Sequence, residues 1–433
     1  MNTLTALRDG KMAGARHLRL ACGLKELPRE VLDLADTLEI LDLSGNALSD
    51  MPADFDRLHR LRIVFLSSNA FTHVPTVLGR CPNLTMLGMK ANAIEHVAGD
   101  ALAPGLRWLI LTDNRIATLP DQIGDCLNMQ KLMLAGNRLA TLPERLAQCR
   151  NLELLRLSAN RLQALPAWLF SLPRLAWLAF AGNPLAASTP APANPGASWD
   201  DVQLHEQLGE GASGVIHRAI WKARPEEVAV KLFKGTITSD GLPASEMTAC
   251  AAAGNHANLI GAHARIHGHP YGLDGLIMPL VDPALRNLAA PPSFESCTRD
   301  VYAPGQQLSI RAASLIALGV ARAARHLHAV NLMHGDLYGH NILYEEGGHA
   351  LLGDFGAASF YSQAAPAHAC ERIEVRAFGL LLQELLELAS QNQAGAPDLC
   401  DALTALAQRC VIPEVLGRPG FFEVVQRIET ALA

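Results

Sequence analysis

The sequence predicts an α/β repeat solenoid followed by a two-lobed α+β domain. Asparagines recur every 22 or 23 residues up to position 183, and a proline- and alanine-rich stretch follows at 184–198. A glycine-rich segment, a lysine strand and two short acidic motifs then occur in that order over 208–356. We therefore divide the chain into a repeat domain (1–185), a linker (186–199) and a second domain (200–433), whose lobes are 200–281 and 282–433.

The repeats are units of the form L-x-x-L-x-L-x-x-N, as in Leu152 to Asn160. Cys22 takes the asparagine position of a degenerate first unit, which makes eight units in all. The seven asparagines are Asn46, Asn69, Asn92, Asn114, Asn137, Asn160 and Asn183. This pattern resembles the leucine-rich repeat family. One such unit cannot bury its leucines alone, so neighbouring units stack on a common core. We expect the asparagine amides to bond the neighbouring backbone and form a ladder.

The strand positions that should face the concave side of the solenoid are unusually apolar. An apolar stripe of this kind favours a protein-binding surface. The alternative is that the second domain, or a second copy of the chain, covers it. The residues expected to bind a protein substrate or partner are Ile63, Phe65, Met86, Trp108, Ile110, Met133, Leu154 and Trp177.

Composition excludes several classes of protein. Residues 1–198 contain 20 basic and 17 acidic side chains and residues 199–433 contain 16 and 25, with no basic block, which argues against nucleic acid as a partner. Nine scattered cysteines, an odd number, argue against a disulfide framework. No apolar run is long enough for a membrane span or a signal peptide. We expect a cytoplasmic protein.

Four elements of the second domain have spacings that suit phosphate and metal chemistry. A G-x-G-x-x-G segment lies between Leu208 and Ile216, and Lys231 ends a Val-Ala-Val-Lys run. His334 begins the sequence HGDLYGHNIL, and Asp354 begins D-F-G. Glycines let the backbone approach phosphate oxygens, and carboxylate and amide oxygens suit Mg²⁺. Together, the four elements resemble the signature motifs of protein kinases.

This resemblance implies ATP and Mg²⁺ as cofactors and a role for each motif. Lys231 would contact the phosphates and pair with Glu246 on the following helix. Asp336 would accept the proton of the substrate hydroxyl, and Asn341 and Asp354 would hold magnesium. The expected nucleotide-binding residues are Leu208, Gly209, Glu210, Gly211, Ala212, Ser213, Gly214, Val215, Ile216, Ala229, Lys231, Met278 and Leu280.

The catalytic motifs depart from the family pattern at two positions. Gly335 replaces the arginine of H-R-D, which normally meets a phosphorylated residue of the activation loop. Its absence suggests activity without loop phosphorylation, a hypothesis that alanine substitutions at Ser359, Tyr361 and Ser362 would test. Tyr338 replaces a lysine that often contacts the transferred phosphate.

The C-terminal part also differs from the family. No A-P-E triplet precedes Glu374, which opens a segment similar to the family's D-V-W-S-F-G helix. Arg418 normally pairs with the glutamate of A-P-E, and Glu371 is the nearby candidate. The insertion 282–307 has no assigned role.

Three functions fit these motifs. The first is a protein kinase directed at serine or threonine, with the repeats recruiting a partner or substrate. The second is a small-molecule kinase, which needs no peptide platform. The third is a pseudokinase scaffold, against which the retention of Lys231, Asp336, Asn341 and Asp354 argues.

Overall fold

A computed structural model describes residues 3–185, 196–211, 213–235, 237–238, 240–361, 367–389 and 397–433. The chain forms two compact units. The first comprises Met1–Leu172 and Asn183–Leu185, and the second comprises Pro173–Gly182 and Ala186–Ala433. The last strand of the repeat series therefore belongs to the second unit, whereas the sequence places it in the repeat domain.

The first unit is built from seven short strands that pair in parallel and in sequence order. They are β1 (His17–Arg19), β2 (Ile40–Asp42), β3 (Ile63–Phe65), β4 (Met86–Gly88), β5 (Trp108–Ile110), β6 (Lys131–Met133) and β7 (Leu154–Arg156). The central residue of each strand is a buried leucine or valine, so the units share one core as predicted.

Short helices alternate with these strands. A single α-helix, α1 (Thr3–Arg8), precedes them. Apart from α1, the helices described in this unit are of the 3₁₀ type: Arg29–Leu34, Phe55–Arg57, Thr76–Arg80, Gly99–Ala101, Asp121–Asp125, Glu144–Gln148 and Ala167–Ser171. A repeat of 22 or 23 residues leaves room for only about one or two turns of helix in each unit.

The predicted asparagine ladder is confirmed. Asn137, which is 7% exposed, donates from Nδ2 to the carbonyls of Leu111 (2.9 Å) and Leu134 (3.0 Å) and accepts the amide of Ile116 (3.0 Å). Asn114 and Asn160 repeat this arrangement. Each amide thus satisfies buried backbone groups of two neighbouring units, which would otherwise cost free energy.

The second unit begins with β8 (Trp177–Ala179), the last repeat strand, and continues with a six-stranded sheet. Its order is β10-β11-β12-β14-β13-β9, and only β9 pairs in parallel. The strands are β9 (Gly196–Ser198), β10 (Val202–Glu210), β11 (Gly214–Trp221), β12 (Val228–Phe233), β13 (Ala264–His267) and β14 (Gly275–Pro279).

Strand β9 lies inside the predicted linker 186–199 and pairs with β13, so the end of that segment is part of the sheet. The linker residues 186–195 lie outside the described residues. One face of the sheet is a core that contains Val228, Val230, Trp221 and Ile277. Helix α2 (Pro243–Ala253) follows β12.

The rest of the second unit is mainly helical. Its helices are α3 (Ile310–Ala329), α4 (Ala367–Ala389), α5 (Pro397–Cys410) and α6 (Phe421–Leu432). The short strands are β15 (Arg286–Asn287), β16 (Leu332–Met333), β17 (Ile342–Tyr344), β18 (Ala350–Leu352) and β19 (Ser359–Phe360). β15, β17 and β18 form one antiparallel sheet, and β16 pairs with β19.

The described helices do not include one that is long and apolar enough to cross a membrane. All nine cysteines are free thiols.

Candidate functional site

The predicted glycine loop is the hairpin between β10 and β11. The amide of Gly211 donates to the carbonyl of Gly214 at 2.9 Å and closes the turn. A Cβ on Gly214 would lie 2.5 Å from the carbonyl oxygen of Leu232, so this glycine is required by the packing of the sheet. A Cβ on Gly209 or Gly211 would instead meet open space.

The remaining residues of the loop vary in exposure. Leu208 is exposed, Ser213, Val215 and Ile216 are half-buried, and Glu210 forms an ion pair with Lys234. Ala212 lies outside the described residues.

Strand β12 presents its alternate residues to the side of the sheet opposite the core. Residues two apart share a face, so Ala229 and Lys231 face away from Val228 and Val230. Across the ladders, Ile216 lies opposite Lys231 and Met278 lies opposite Ala229. The side chains that the sequence assigned to nucleotide binding therefore share one face. Leu280 follows the end of β14 and is half-buried.

Lys231 and Glu246 form the predicted buried ion pair, with Nζ 2.5 Å from Oε1. Burial lowers the pKa of Lys231, but attraction by Glu246 and Asp354 outweighs burial and raises it above its usual value. The lysine is therefore held as a cation. Burial raises the pKa of Glu246 to about 7, against the opposing effect of Lys231.

The loop from His334 to Asn341 brings Asp336 and Asn341 together. Asn341 Nδ2 donates to the backbone carbonyl of Asp336 at 2.9 Å and to its Oδ2 at 2.8 Å. His334 accepts the amide of Asp336 at Nδ1 (3.3 Å) and donates from Nε2 to the carbonyl of Gly353 (2.9 Å). The amide of Gly353 in turn donates to the carbonyl of Asn341 at 2.9 Å. These bonds fix the D-F-G segment beside the loop.

Asp354 is exposed and has a left-handed backbone, with φ of 56°. Its Oδ1 accepts the amide of Gly356 at 3.0 Å. A Cβ on Gly356 would lie 3.2 Å from Asp354 Oδ1 and 3.6 Å from Glu246 Oε2, so the two carboxylates approach each other at this glycine. Phe355 is buried, with its ring 5.4 Å from that of His334.

The donor atoms fit a hard cation. Because Asn341 uses its Nδ2 in the bonds to Asp336, its Oδ1 remains as an oxygen ligand beside the Asp354 carboxylate. No group of three His, Cys, Asp or Glu side chains suited to a metal occurs among the described residues. Two protein oxygens suffice for Mg²⁺, which takes its other ligands from phosphates and water.

Glu374, which the sequence identified only as the start of a helix, supports the catalytic loop from below. It is 1% exposed and accepts the amides of Gly335 (2.6 Å) and His334 (3.2 Å) and Nε2 of His328 (2.8 Å). Burial raises the pKa of Glu374, but these donors and the nearby histidines outweigh burial and lower it. A buried acidic residue at the start of a helix was a signal that could have identified it.

Arg418 does not pair with Glu371 as expected. Its guanidinium donates to three backbone carbonyls, those of Ile412 (2.9 Å), Arg372 (3.1 Å) and Pro173 (2.8 Å). Burial lowers the pKa of Arg418 to about 9. Glu371 accepts the amide of Phe421 instead, at 2.7 Å.

The insertion 282–307 packs on the catalytic loop. Asp300 Oδ1 lies 2.7 Å from Nδ1 of His340, and its Oδ2 accepts the His340 amide at 3.1 Å. Tyr302 donates to Glu384 on α4 at 2.8 Å. A Cβ on Gly339 would lie 3.0 Å from Asp300 Oδ2, so the loop and the insertion fit closely. The insertion thus buttresses the residues that precede Asn341.

The apolar stripe of the repeats is less exposed than expected. Ile63, Met86, Met133 and Leu154 are buried, and the half-buried members are Phe65, Trp108 and Ile110. Trp177 is 2% exposed, and its indole donates to the carbonyl of Leu337, next to Asp336, at 3.0 Å. Its predicted role on a partner-binding face is therefore wrong, and intramolecular packing, the alternative, holds at this position.

Comparison with known proteins matches both halves of the chain. The protein kinase domain family matches residues 202–374, and the leucine-rich repeat family matches 36–94, 104–162 and 127–185.

Curated relatives are serine/threonine kinases by name. Human cyclin-dependent kinase 11B is 23% identical over 227 residues, which are 52% of this chain and 26% of that protein. The serine/threonine-protein kinase PITSLRE of Drosophila melanogaster is 26% identical over 38% of this chain and 16% of its own length. A probable serine/threonine-protein kinase of Dictyostelium discoideum is 28% identical over 36% of this chain and 9% of its own length.

The chain thus spans about a quarter or less of the length of these relatives. The motifs, their geometry and both family matches agree: the chain combines leucine-rich repeats with a protein kinase domain.

Proposed function

We propose that this protein transfers the γ-phosphoryl group of ATP to a serine or threonine hydroxyl of a protein. The observation that carries the proposal is the convergence of four motifs far apart in sequence. A buried Lys231–Glu246 pair, Asp354 beside Glu246, and Asp336 bonded to Asn341 lie on adjoining elements. Catalysis of phosphoryl transfer consists mostly of positioning and charge neutralisation, which these groups can supply.

Each residue has a distinct task in this proposal. Lys231, held as a cation by Glu246, binds phosphate oxygens of the nucleotide. Asp336 orients the substrate hydroxyl and accepts its proton, and Asn341 keeps the Asp336 carboxylate in place. Asn341 Oδ1 and the Asp354 carboxylate would hold Mg²⁺, which neutralises charge on the phosphates when bound.

The shared face of the sheet is the proposed adenine and phosphate site. Ile216, Ala229 and Met278 form an apolar surface next to the Lys231 cation. The hairpin of Gly209 and Gly211 has open space where side chains would be, which allows its backbone to approach phosphates.

The repeats are proposed to recruit the protein substrate or another partner. Phe65, Trp108 and Ile110 retain accessible apolar surface at neighbouring positions, and aromatic side chains are enriched in protein interfaces. The preference for serine or threonine follows from the names of the relatives. The free thiols suit the expected cytoplasmic location.

The test is phosphoryl transfer by the full chain. Purified protein and Asp336→Asn are incubated with γ-labelled ATP and Mg²⁺, with peptides that contain serine, threonine or tyrosine. We expect label on serine or threonine, reduced by about 10²–10⁴ in the variant because the general base is lost. Both proteins should bind nucleotide equally. Nucleotide binding without any transfer would refute the proposal and favour the scaffold.

A small-molecule kinase is the second candidate, because the segment Pro173–Gly182 packs on the catalytic loop where other protein kinases have a peptide platform. Label that is found only on an added small alcohol, and that depends on Asp336, would support it over the first.

A further inference from the structure

The segment Pro173–Gly182, here called the terminal-repeat segment, belongs to the kinase unit and bonds the catalytic machinery at several points. Its backbone and its Trp177 side chain meet four parts of the kinase domain: the catalytic loop, β19 after D-F-G, helix α4 and the loop before α6. The bonded groups are Leu337, Ser359, Arg376 and Arg418. We propose that this segment positions the catalytic loop and that Trp177 is a positioning residue for Asp336.

Trp177 is fixed on both faces and at its edge. Its ring stacks on Tyr338 with centroids 4.1 Å apart and an interplanar angle of 6°. The guanidinium of Arg299 lies 5.2 Å from the ring centroid. The indole N–H donates to the carbonyl of Leu337 at 3.0 Å. Tyr338, which departs from the family lysine, thus provides the stacking surface.

Asp336 is therefore held from two directions. On its N-terminal side, Glu374 binds the amides of His334 and Gly335. On its C-terminal side, Trp177 binds the carbonyl of Leu337, the next residue. Removal of Trp177 would leave a buried carbonyl without its donor and free one end of the loop.

Gly335 is matched to the same segment. It has φ of 76°, and a Cβ there would lie 2.7 Å from the carbonyl oxygens of Leu178 and Ala357. An arginine cannot occupy this position while β8 lies so close. The arginine that couples other kinases to a phosphorylated loop is replaced here by a direct backbone approach of the terminal-repeat segment.

Ser359 completes the connection. Its hydroxyl accepts the amides of Phe180 (2.9 Å) and Ala181 (3.1 Å) and donates to the carbonyl of Ala357 (3.1 Å). The residue is 0% exposed. Ser359 is thus a structural link between β8 and the segment after D-F-G, so its alanine variant is not a neutral test of loop phosphorylation.

The proposal rests on the proposed kinase activity, and its test uses full-length Trp177→Ala, Trp177→Phe and Trp108→Ala. Trp108 occupies the same repeat position in the first unit and provides the matched control. We expect Trp177→Ala to lower kcat about 10- to 100-fold, since a small displacement of a catalytic group has such effects. KM for ATP should stay within about threefold, because the Lys231 site is unchanged.

Trp177→Phe keeps the stacking ring and loses the N–H donor, so kcat should lie between that of the wild type and that of the alanine variant. Trp108→Ala should keep wild-type kcat. Hydrogen exchange of the amides from 334 to 341 should be faster in Trp177→Ala than in Trp108→Ala, and this readout needs no activity.

The outcomes separate the two proposals. If the wild type transfers no phosphoryl group while exchange rises only in the Trp177 variants, the proposed function fails and the positioning role holds. If Trp177→Ala retains wild-type kcat and exchange, or if Trp108→Ala causes equal losses, the positioning role is refuted. A parallel loss of folded protein and kcat with no change per folded molecule would refute it as well.

Discussion

The nucleotide side and the catalytic-loop side of the kinase domain differ in how closely they follow the family pattern. On the nucleotide side, Lys231, Glu246 and Asp354 occupy the expected positions and meet as the resemblance implies. On the other side, Gly335 and Tyr338 replace family residues. Both replacements contact the terminal-repeat segment. Departures that share one neighbour indicate adaptation to that neighbour rather than decay of the site.

Glycines show the same contrast in physical terms. Gly209 on the nucleotide side has free space around its missing side chain, so only a ligand can account for it. Gly335 has a left-handed backbone and two carbonyl oxygens within 2.7 Å of a Cβ, so the folded protein itself requires it. Substitution at these glycines should therefore affect different properties.

The largest effect is expected for Gly335→Ala. A left-handed backbone costs a non-glycine residue about 1–2 kcal/mol, and overpacking adds about 1–3 kcal/mol. We expect the kinase unit to lose about 3 kcal/mol of unfolding free energy, or roughly 8 °C in Tm. Thermal unfolding followed by circular dichroism measures this.

The control for this substitution is Gly347→Ala, where the nearest atom to a Cβ is the flexible end of Glu345 at 3.4 Å. Its Tm should equal that of the wild type. Equal Tm values for Gly335→Ala and the control would show that β8 does not approach the catalytic loop in solution.

A smaller effect is expected for Glu374→Gln, which tests the support of the loop from α4. The glutamine keeps the shape but loses charge-assisted bonds to Gly335 and His328, worth about 2 kcal/mol. Because the pKa of Glu374 is lowered from 4.5, its stabilisation is complete above pH 4.5 and is lost as pH falls through the folded-state value.

The stability difference between wild type and Glu374→Gln should therefore be constant near neutral pH and shrink below pH 4.5. Urea unfolding at a series of pH values measures it. Glu429→Gln is the control, since its ion pair with Arg322 is exposed and should contribute little at any pH. A difference that grows on acidification would contradict the role given to Glu374.

Sequence reasoning reached the elements whose information is local or periodic. The asparagine ladder follows from a spacing that repeats in every unit, so one turn specifies the next. The Lys231–Glu246 pair follows because a buried cation at the end of an apolar strand requires an acidic partner on the next helix.

Contacts between distant parts of the chain escaped this reasoning. Trp177 occupies the same repeat position as Trp108, yet its hydrogen-bond partner lies 160 residues further along the chain. Periodicity describes which face a side chain takes and contains no information on what covers that face. The same limit applies to Arg418, whose carbonyl partner at Pro173 is 245 residues away.

The smallest effect is expected for Gly209→Ala, which examines the nucleotide side alone. Its Cβ meets no protein atom within 4 Å and its backbone is not left-handed, so Tm should stay within about 1 °C of the wild type. The added methyl group would occupy space that the phosphates approach, so the Kd for an ATP analogue should rise about tenfold, or roughly 1.4 kcal/mol. Isothermal titration of Gly209→Ala beside Gly335→Ala measures both. If Gly209→Ala loses as much stability as Gly335→Ala while binding the analogue normally, the hairpin is a structural turn and the contrast between the two sides fails.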